Sequence, residues 1–432
     1  MHETTWFIVA GGILIFMGII GSTFKHLPAS SAMVYLVTGF VLGPMGLGLL
    51  KLDITAKDGL LRVITELAML VSLFAIGLRT RVPPKDRIWL IPLRLGLGAM
   101  IVTIAIAVVV FVFVLGMSWG PALLLAAILA PTDPVLAHEV QVQSPGDVDL
   151  LRFSLTGEGG LNDGIALPFA LLGIAVCNFE ASPTQALSWH FAAVAVWGVV
   201  GAVTVGWLSG NIAARFISWL RTRHTLALGP EGFYALGVIA VSYGVAELID
   251  TYAFLAVFAA GLAIRRVEQA SSGDKSAAQA VGSVDPENIG AAASDPHRAQ
   301  AFMAARVLGF TVELERIGEM VVMLMVGSAM ATVWPRLFTW PVLVTIVALC
   351  LIARPIAVQI SMLGTGATAS QRWLMSWFGI RGVGSFYYLL YAFEHAPKAA
   401  VMPLAPLVLG VIAASVIAHG ITSTPLMNRY RG

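Results

Sequence analysis

Apolar runs long enough to cross a bilayer recur along almost the whole chain, from about residue 5 to residue 427, and they limit what it can become. Inside hydrocarbon every backbone N–H and C=O must find its partner within the protein, and a helix meets that demand within each run. The expected fold is an all-α polytopic membrane protein. Only 12% of the residues are charged, about half the share of a soluble domain, so little room remains for a second, soluble domain.

Thirteen candidate spans can be read, at about 5–23, 30–50, 60–78, 88–115, 119–140, 150–177, 189–219, 230–249, 251–265, 317–334, 339–363, 371–394 and 400–427. The run 251–265 is short, and is read as tilted, broken or continuous with its neighbour. With the N-terminus outside, alternate loops place eighteen Lys and Arg on the inner side, Arg79, Arg81, Arg152, Arg221, Arg265 and Arg316 among them. The outer side holds five: Lys51, Lys57, Arg62, Arg336 and Lys398. That asymmetry follows the positive-inside rule and puts the C-terminus in the cytoplasm, which implies a multi-pass protein of the cell's inner (plasma) membrane.

Residues 266–316 break the pattern with polar, alanine-rich sequence carrying Asp285-Pro286 and Asp295-Pro296. They are read as a flexible cytoplasmic linker, with an interfacial helix over 301–316. It separates a first membrane domain of nine spans (1–265) from a second of four (317–432). The start, Met1-His2-Glu3-Thr4-Thr5, lacks the basic region of a cleaved signal peptide, so the first run is expected to stay as an anchor. Cys177 and Cys350 lie within apolar runs and are read as packing residues, not a disulfide. Trp189, Trp197, Trp207 and Trp219 are expected to anchor or pack one long helix.

Within the run Leu150–Cys177 stands Gly157-Glu158-Gly159-Gly160-Leu161-Asn162-Asp163-Gly164. A carboxylate near the bilayer centre costs about 2.5–3.5 kcal/mol on insertion scales, so such residues mark a functional site by default. Asp133 raises the same question one span earlier, in Ala130-Pro131-Thr132-Asp133-Pro134. Two intramembrane aspartates, one beside a helix-breaking proline and one beside an asparagine, suggest a site that binds and releases a small cation.

Pro134 removes a backbone donor and leaves the carbonyl near Ala130 without its helical partner, so the helix is expected to break or kink there. Broken helices supply carbonyl oxygens and half-helix dipoles at mid-membrane; the plainer alternative is a kink whose aspartate is satisfied by a neighbour. A second break is expected at Gly379-Ile380-Arg381-Gly382-Val383-Gly384, inside the span 371–394. If the two breaks cross, Asp133 can offset the positive helix ends and Arg381 the negative ones. Glu158 and Asn162, four apart, share a helix face, and Asp163 points about 100° away from Asn162. Glu158 therefore needs its own cation, and Arg354 is the candidate, as a structural pair.

At these residues the chain resembles the monovalent cation–proton antiporters, in the NhaP-like branch that holds bacterial and animal sodium–proton exchangers. The resemblance rests on Thr132-Asp133-Pro134, the run from Glu158 to Asp163, Cys350-Leu351-Ile352-Ala353-Arg354, Gly379-Ile380-Arg381-Gly382 and Phe254 to Leu262. It implies an inverted-repeat fold in which the helices broken at Asp133 and Arg381 cross, with a mobile core domain and a dimerising domain, hence a homodimer. It implies that Asp163 binds cation and proton, with Asn162 its neighbour and Thr132 and Asp133 supporting. Asp163 and Asp133 are then the cation's acidic residues, and Glu158 and Arg354 match a buried structural pair. Glu66 falls where some relatives place a further acidic ligand or access-path residue, and a glutamate merely satisfied inside the membrane fits equally. Two departures bear on ion choice: Gly159 replaces a serine, and Arg79 stands where many relatives are acidic.

The implied activity is secondary active exchange of a monovalent cation, sodium first and lithium or potassium open, for a proton, serving pH homeostasis. Desolvation disfavours a bare carboxylate and a nearby cation favours it, so proton and cation exclude each other at Asp163, and alternating access turns that exclusion into exchange. Asn162 stands where electrogenic relatives carry a second aspartate, which predicts electroneutral exchange. No covalent chemistry, cofactor or nucleic acid enters this reading; the partners are cation, proton and membrane lipid. Two rivals from other classes are an intramembrane aspartyl protease, whose paired aspartates share a proton, and a passive cation channel. The sequence lacks the tyrosine–aspartate and glycine–x–glycine–aspartate pattern of the first and any selectivity filter for the second. His138 is read as a packed histidine, and His190, His224, His395 and His419 show no metal-ligand spacing.

Overall fold

A computed structural model describes residues 8, 11–15, 18, 30–56, 59–83, 86–133, 135–136, 140–142, 147, 149–178, 189–224, 231–273, 295 and 298–431. Every regular element among them is helical. Residues 8, 11–15 and 18, inside the first candidate span, are helical. The succession then runs α1 (Ser31–Leu42), α2 (Leu60–Arg79), α3 (Arg87–Phe113), α4 (Trp119–Leu129), α5 (Leu150–Cys177), α6 (Trp189–His224) and α7 (Glu231–Leu248). It continues with α8 (Ala253–Ser272), α9 (Ala299–Leu337), α10 (Trp340–Ser361), α11 (Ala369–Trp377), α12 (Val383–His395) and α13 (Ala405–Arg431). Among the described residues seven helical stretches are long and apolar enough to cross a membrane, and α1 and α4 are shorter apolar helices. The protein is a multi-pass, all-α membrane protein with discontinuous helices.

Both expected breaks are present. Helix α4 stops at Leu129, five residues before Pro134, and residues 130–133 leave the helical path. The proline cannot donate to the Ala130 carbonyl, and its ring pushes the preceding residue, Asp133, out of the α region. The span around Arg381 is two helices, α11 and α12, parted by residues 378–382. Two further irregularities accompany them: Arg94–Ala99 in α3 and Val347–Ala353 in α10 are π-helical, with one extra residue in the turn.

The segments around the linker extend further than hydropathy suggests. Helix α8 runs past the short candidate span to Ser272, and the expected interfacial stretch 301–316 is the beginning of one continuous helix, α9. The 266–316 segment is therefore helical at both ends, and most of its middle, with His138 and Pro134 elsewhere, lies outside the described residues.

The helices pack as two groups. Helix α8 lies at the centre of the first, against α2, α6, α7 and α9, with α1 seated on α9. The second gathers α3, α4, α5, α10 and α12, with α11 on α10 and α13 on α10 and α12. Lipid offers helices no hydrophobic drive to associate, so close contact depends on small residues. Gly77 of α2 and Gly261 of α8 face each other, and a Cβ on either would run into the other helix's backbone. Helix α6 turns much of its apolar surface outward, with Trp189, Trp197 and Trp219 exposed, as a lipid-facing helix should.

The two groups meet where α5 crosses α8, where α12 lies against α2 and where α13 lies against α9. Gly160 and Gly164, one turn apart on α5, bring Phe258 and Leu255 of α8 onto the helix. Asp149 starts α5 by accepting the Arg152 N–H at 3.0 Å.

Candidate functional site

The two breaks are joined to each other. The Asp133 N–H donates to the Ile380 carbonyl at 2.7 Å. The Asp133 carboxylate accepts the Val135 N–H at 2.8 Å through Oδ1, and Oδ2 accepts the Val383 N–H at the start of α12. Arg381 runs the other way: Nε donates to the Leu129 carbonyl, the end of α4, at 2.9 Å, and Nη1 donates to the Gly379 carbonyl. Its own N–H donates to Ser415 Oγ on α13 at 2.8 Å. Both side chains are buried. A buried break exposes backbone donors and acceptors that each need a partner, and these two side chains supply several of them.

Helix α5 lays two polar residues, Asn162 and Asp163, against this junction in the directions its periodicity requires. Asn162 Nδ2 donates to Thr132 Oγ1 at 2.7 Å. Asp163, on the next face, has its main-chain carbonyl bound by the Tyr388 hydroxyl of α12. Its carboxylate lies against the backbone at Gly384, where a Cβ would stand 3.0 Å from Oδ1. Asn162 and Asp163 are each 1% exposed, and Asn162 Oδ1 and Asp163 Oδ1 have no hydrogen-bond partner. Unpartnered buried oxygens in a native fold call for an explanation, and two on consecutive residues suit a hard cation, which takes oxygen ligands. Among the described residues no group of three or more His, Cys, Asp or Glu assembles.

Glu158, one turn before Asn162 on the same face of α5, is bound instead to Arg354, directly after the π-helical turn of α10. The pair is bidentate, with Nη2 to Oε2 at 2.8 Å and Nη1 to Oε1, and Nη2 also donates to the Met375 carbonyl at 2.9 Å. The Met375 contact ties α11 to the same guanidinium.

Glu66 is not brought to this junction. It accepts from Arg62 Nη1 at 2.7 Å, from the Tyr243 hydroxyl, and at 3.5 Å from the Tyr387 hydroxyl. Arg62 also donates through Nε to Glu394 at 2.8 Å, linking α2 to the far end of α12. Arg79, noted for its departure, is buried and pairs with Glu315 of α9 at 2.5 Å, beside Ser72, which donates to the same carboxylate at 2.8 Å.

Sequence reasoning missed Tyr388, Ser415 and His419. His419 Nε2 lies 2.7 Å from the Trp377 carbonyl at the end of α11, and its Nδ1 lies 2.7 Å from the Ser415 carbonyl. These side chains hold backbone oxygens and amides, whose positions leave no mark in spacing; a histidine one turn after a serine in an apolar run was the available signal.

Residues 12–429 match the profile of the family described as sodium/hydrogen exchanger, transmembrane. The K(+)/H(+) antiporter NhaP of Alkalimonas amylolytica is 24% identical over 379 residues, which is 87% of this chain and 58% of that protein. The Na(+)/H(+) antiporter 2 of Zygosaccharomyces rouxii is 28% identical over 129 residues, 29% of this chain and 15% of that protein. The chain therefore spans a little over half of the first relative and a small part of the second. Two structures of the sodium proton antiporter MjNhaP1 from Methanocaldococcus jannaschii share the fold at 16% identity, with TM-scores of 0.64 and 0.66. The first, at pH 8, covers 100% of this chain and 98% of that one, and the second, an electron-microscopy structure, covers 99% and 98%. With the family match running over nearly the whole membrane region, the chain belongs to the sodium/hydrogen exchanger family.

Proposed function

We propose that the protein exchanges a monovalent cation for a proton by alternating access, one for one and without net charge movement. The unpartnered Asp163 Oδ1, buried where two broken helices meet, carries this reading. A carboxylate so placed needs either a proton or a cation. Asn162 stands beside it as a neutral ligand, Thr132 orients Asn162, and Asp133 and Arg381 balance the helix ends around the site. Glu158 and Arg354 serve as structure. Glu66 acts on the access path, held by Arg62. Sodium is the proposed ion; the named relatives include both sodium and potassium antiporters.

Thirteen spans, N-terminus outside and C-terminus in the cytoplasm of the plasma membrane, complete the proposal. Ion pairs support this sidedness: Arg79–Glu315, Arg81–Glu268 and Arg221–Glu231 join residues assigned inside, and Arg62–Glu394 joins residues at the outer ends. An inverted repeat is supported by the irregular helices. Counted over the thirteen spans, π-helical turns fall in the fourth and eleventh and breaks in the fifth and twelfth, so each pair is seven spans apart. The linker is proposed from the polar, alanine-rich composition of 266–316, and the homodimer from the family architecture. A protease is disfavoured because the sequence lacks the tyrosine–aspartate and glycine–x–glycine–aspartate pattern of those enzymes.

The test is proton efflux from acidified proteoliposomes on adding sodium, lithium or potassium, with D163N beside wild type. Cation-triggered alkalinisation that D163N abolishes is the expected result, and the ranking of the three ions decides selectivity. A wild type that moves no protons with any of them overturns exchange, and a transport current overturns electroneutrality.

A further inference from the structure

Ser385 lies in the first turn of α12, two residues after the amide that Asp133 accepts, and its hydroxyl has no hydrogen-bond partner although the residue is 2% exposed. A helical serine or threonine ordinarily donates to the carbonyl four residues before it. Thr65, Thr103, Ser154 and Thr156 all do so in this molecule. For Ser385 that carbonyl belongs to Arg381, inside the break, and the bond is not made. A buried hydroxyl without a partner is a cost that a folded protein rarely carries without use.

Two residues that flank Ser385 on α12 touch Asp163. Gly384 lies against the Asp163 carboxylate, and Tyr388, one turn further on, donates to the Asp163 carbonyl. Side chains on a helix tilt toward its N-terminus, so Ser385 leans toward the break that holds Asp133 and Thr132. Asp163 Oδ1 and Asn162 Oδ1 are unpartnered at the same junction. One carboxylate, one amide and one hydroxyl oxygen form a donor set for a hard cation.

We propose that the Ser385 hydroxyl oxygen is a further ligand of the transported cation, completing a set with Asp163 and Asn162 and sharing in the choice of ion. This rests on the exchange reading above. In a cation complex the hydroxyl gives its lone pair to the ion and keeps its proton for a neighbouring acceptor, which satisfies the group on both counts.

The test reads apparent KM and maximal rate for sodium, lithium, potassium and thallium(I) in proteoliposomes bearing wild type, S385A, S385T or S385C. The expected result for S385A is a KM for the preferred ion raised about five-fold or more, a maximal rate within about two-fold of wild type and a flattened ion ranking. S385T keeps the oxygen and stays near wild type. S385C replaces a hard oxygen with a soft sulfur and moves preference toward thallium(I). An S385A with unchanged KM and ranking overturns the proposal, and so does a loss of maximal rate alone, which is what a merely structural serine gives. If S385A does not fold, S385C decides, and an unchanged ranking there overturns it too. A wild type without exchange removes the whole reading, whereas an active wild type with an indifferent S385A removes only Ser385.

Discussion

The Nε–H of Arg381 donates to the Leu129 carbonyl across 2.9 Å, seating the cation of one broken helix on the C-terminal end of the other. Asp133 reciprocates by accepting the Val383 N–H at the N-terminus of α12. A helix end carries about half an elementary charge, positive at the N-terminus and negative at the C-terminus. Each side chain thus offsets the end of a helix to which it does not belong, and the two breaks are locked by one reciprocal arrangement.

Removing Arg381 should therefore cost stability before it costs anything else. In R381A the carbonyls of Leu129 and Gly379 lose their buried donor, and each such loss is worth about 1–3 kcal/mol. R381K should recover part of this, since an ammonium restores charge but not the planar fork. Thermal unfolding in detergent is the readout. An R381A protein that melts with wild type would remove the charge-balancing role.

The pair of Glu158 and Arg354 predicts a different signature. Breaking a buried pair by removing one partner costs about 3–5 kcal/mol, while replacing both with apolar residues of similar size is often neutral. R354A should give little folded protein, and E158L together with R354M should restore much of it. The Met375 carbonyl, which also binds Arg354 at 2.9 Å, keeps the restoration incomplete. A double variant no better than R354A would mean that the charges do more than hold helices together.

Thr132 and Asn162 should separate stability from transport. T132V leaves Asn162 Nδ2 without its acceptor at 2.7 Å, a cost of about 1–3 kcal/mol, whereas T132V with N162L removes both ends of the bond and should cost less. Cation-triggered proton efflux should fall in both, because orientation of Asn162 is lost either way. Full transport in the double variant would exclude Asn162 as a ligand.

Arg62 spans the gap between α2 and α12 by holding Glu394 at 2.8 Å, while it also holds Glu66 of its own helix at 2.7 Å. Its side chain is 23% exposed, so solvent screens the pairs, and R62M should cost about 1–2 kcal/mol, between an exposed and a buried pair. E394Q, which leaves the Glu66 contact in place, should cost less. Double-mutant analysis of melting temperatures measures the coupling, and a coupling of zero would show that the Arg62–Glu394 pair does not hold α12 to α2.

What could be read in advance follows from how local each signal is. The break at Asp133 is written in Pro134, and the break at Arg381 in three glycines within six residues. The face separation of Asn162 and Asp163 is fixed by helix periodicity alone. Arg354 could be matched to Glu158, 196 residues away, because each was a buried charge in need of the other. Arg62 with Glu394 and Arg79 with Glu315 escaped, since charges near span ends look like loop charges and nothing local relates residues 332 and 236 apart. Tyr388 and His419 escaped for another reason: they serve backbone atoms, which carry no residue identity. The extension of α8 beyond residue 265 was hidden by Arg265 and Glu268, polar in sequence but paired and buried in the fold.

Gly384 offers the sharpest test of where the cation stands. A methyl there would have as its nearest neighbours the carboxyl atoms of Asp163, at 3.0, 3.6 and 3.8 Å. Within a helix alanine is favoured over glycine by about 0.5–1 kcal/mol, which offsets the tight 3.0 Å approach to Asp163 Oδ1, so G384A should fold and melt near wild type. The methyl nevertheless occupies one flank of the carboxylate and adds no ligand. A cation coordinated through Oδ1 on the side of α12 must then move or leave. The expected result is an apparent KM raised about ten-fold, roughly 1.4 kcal/mol of lost binding, with the unfolding temperature preserved. Should G384A keep the wild-type KM, the ion would have to approach Asp163 from the side of α8, and Ser385 would lose its place among the ligands as well.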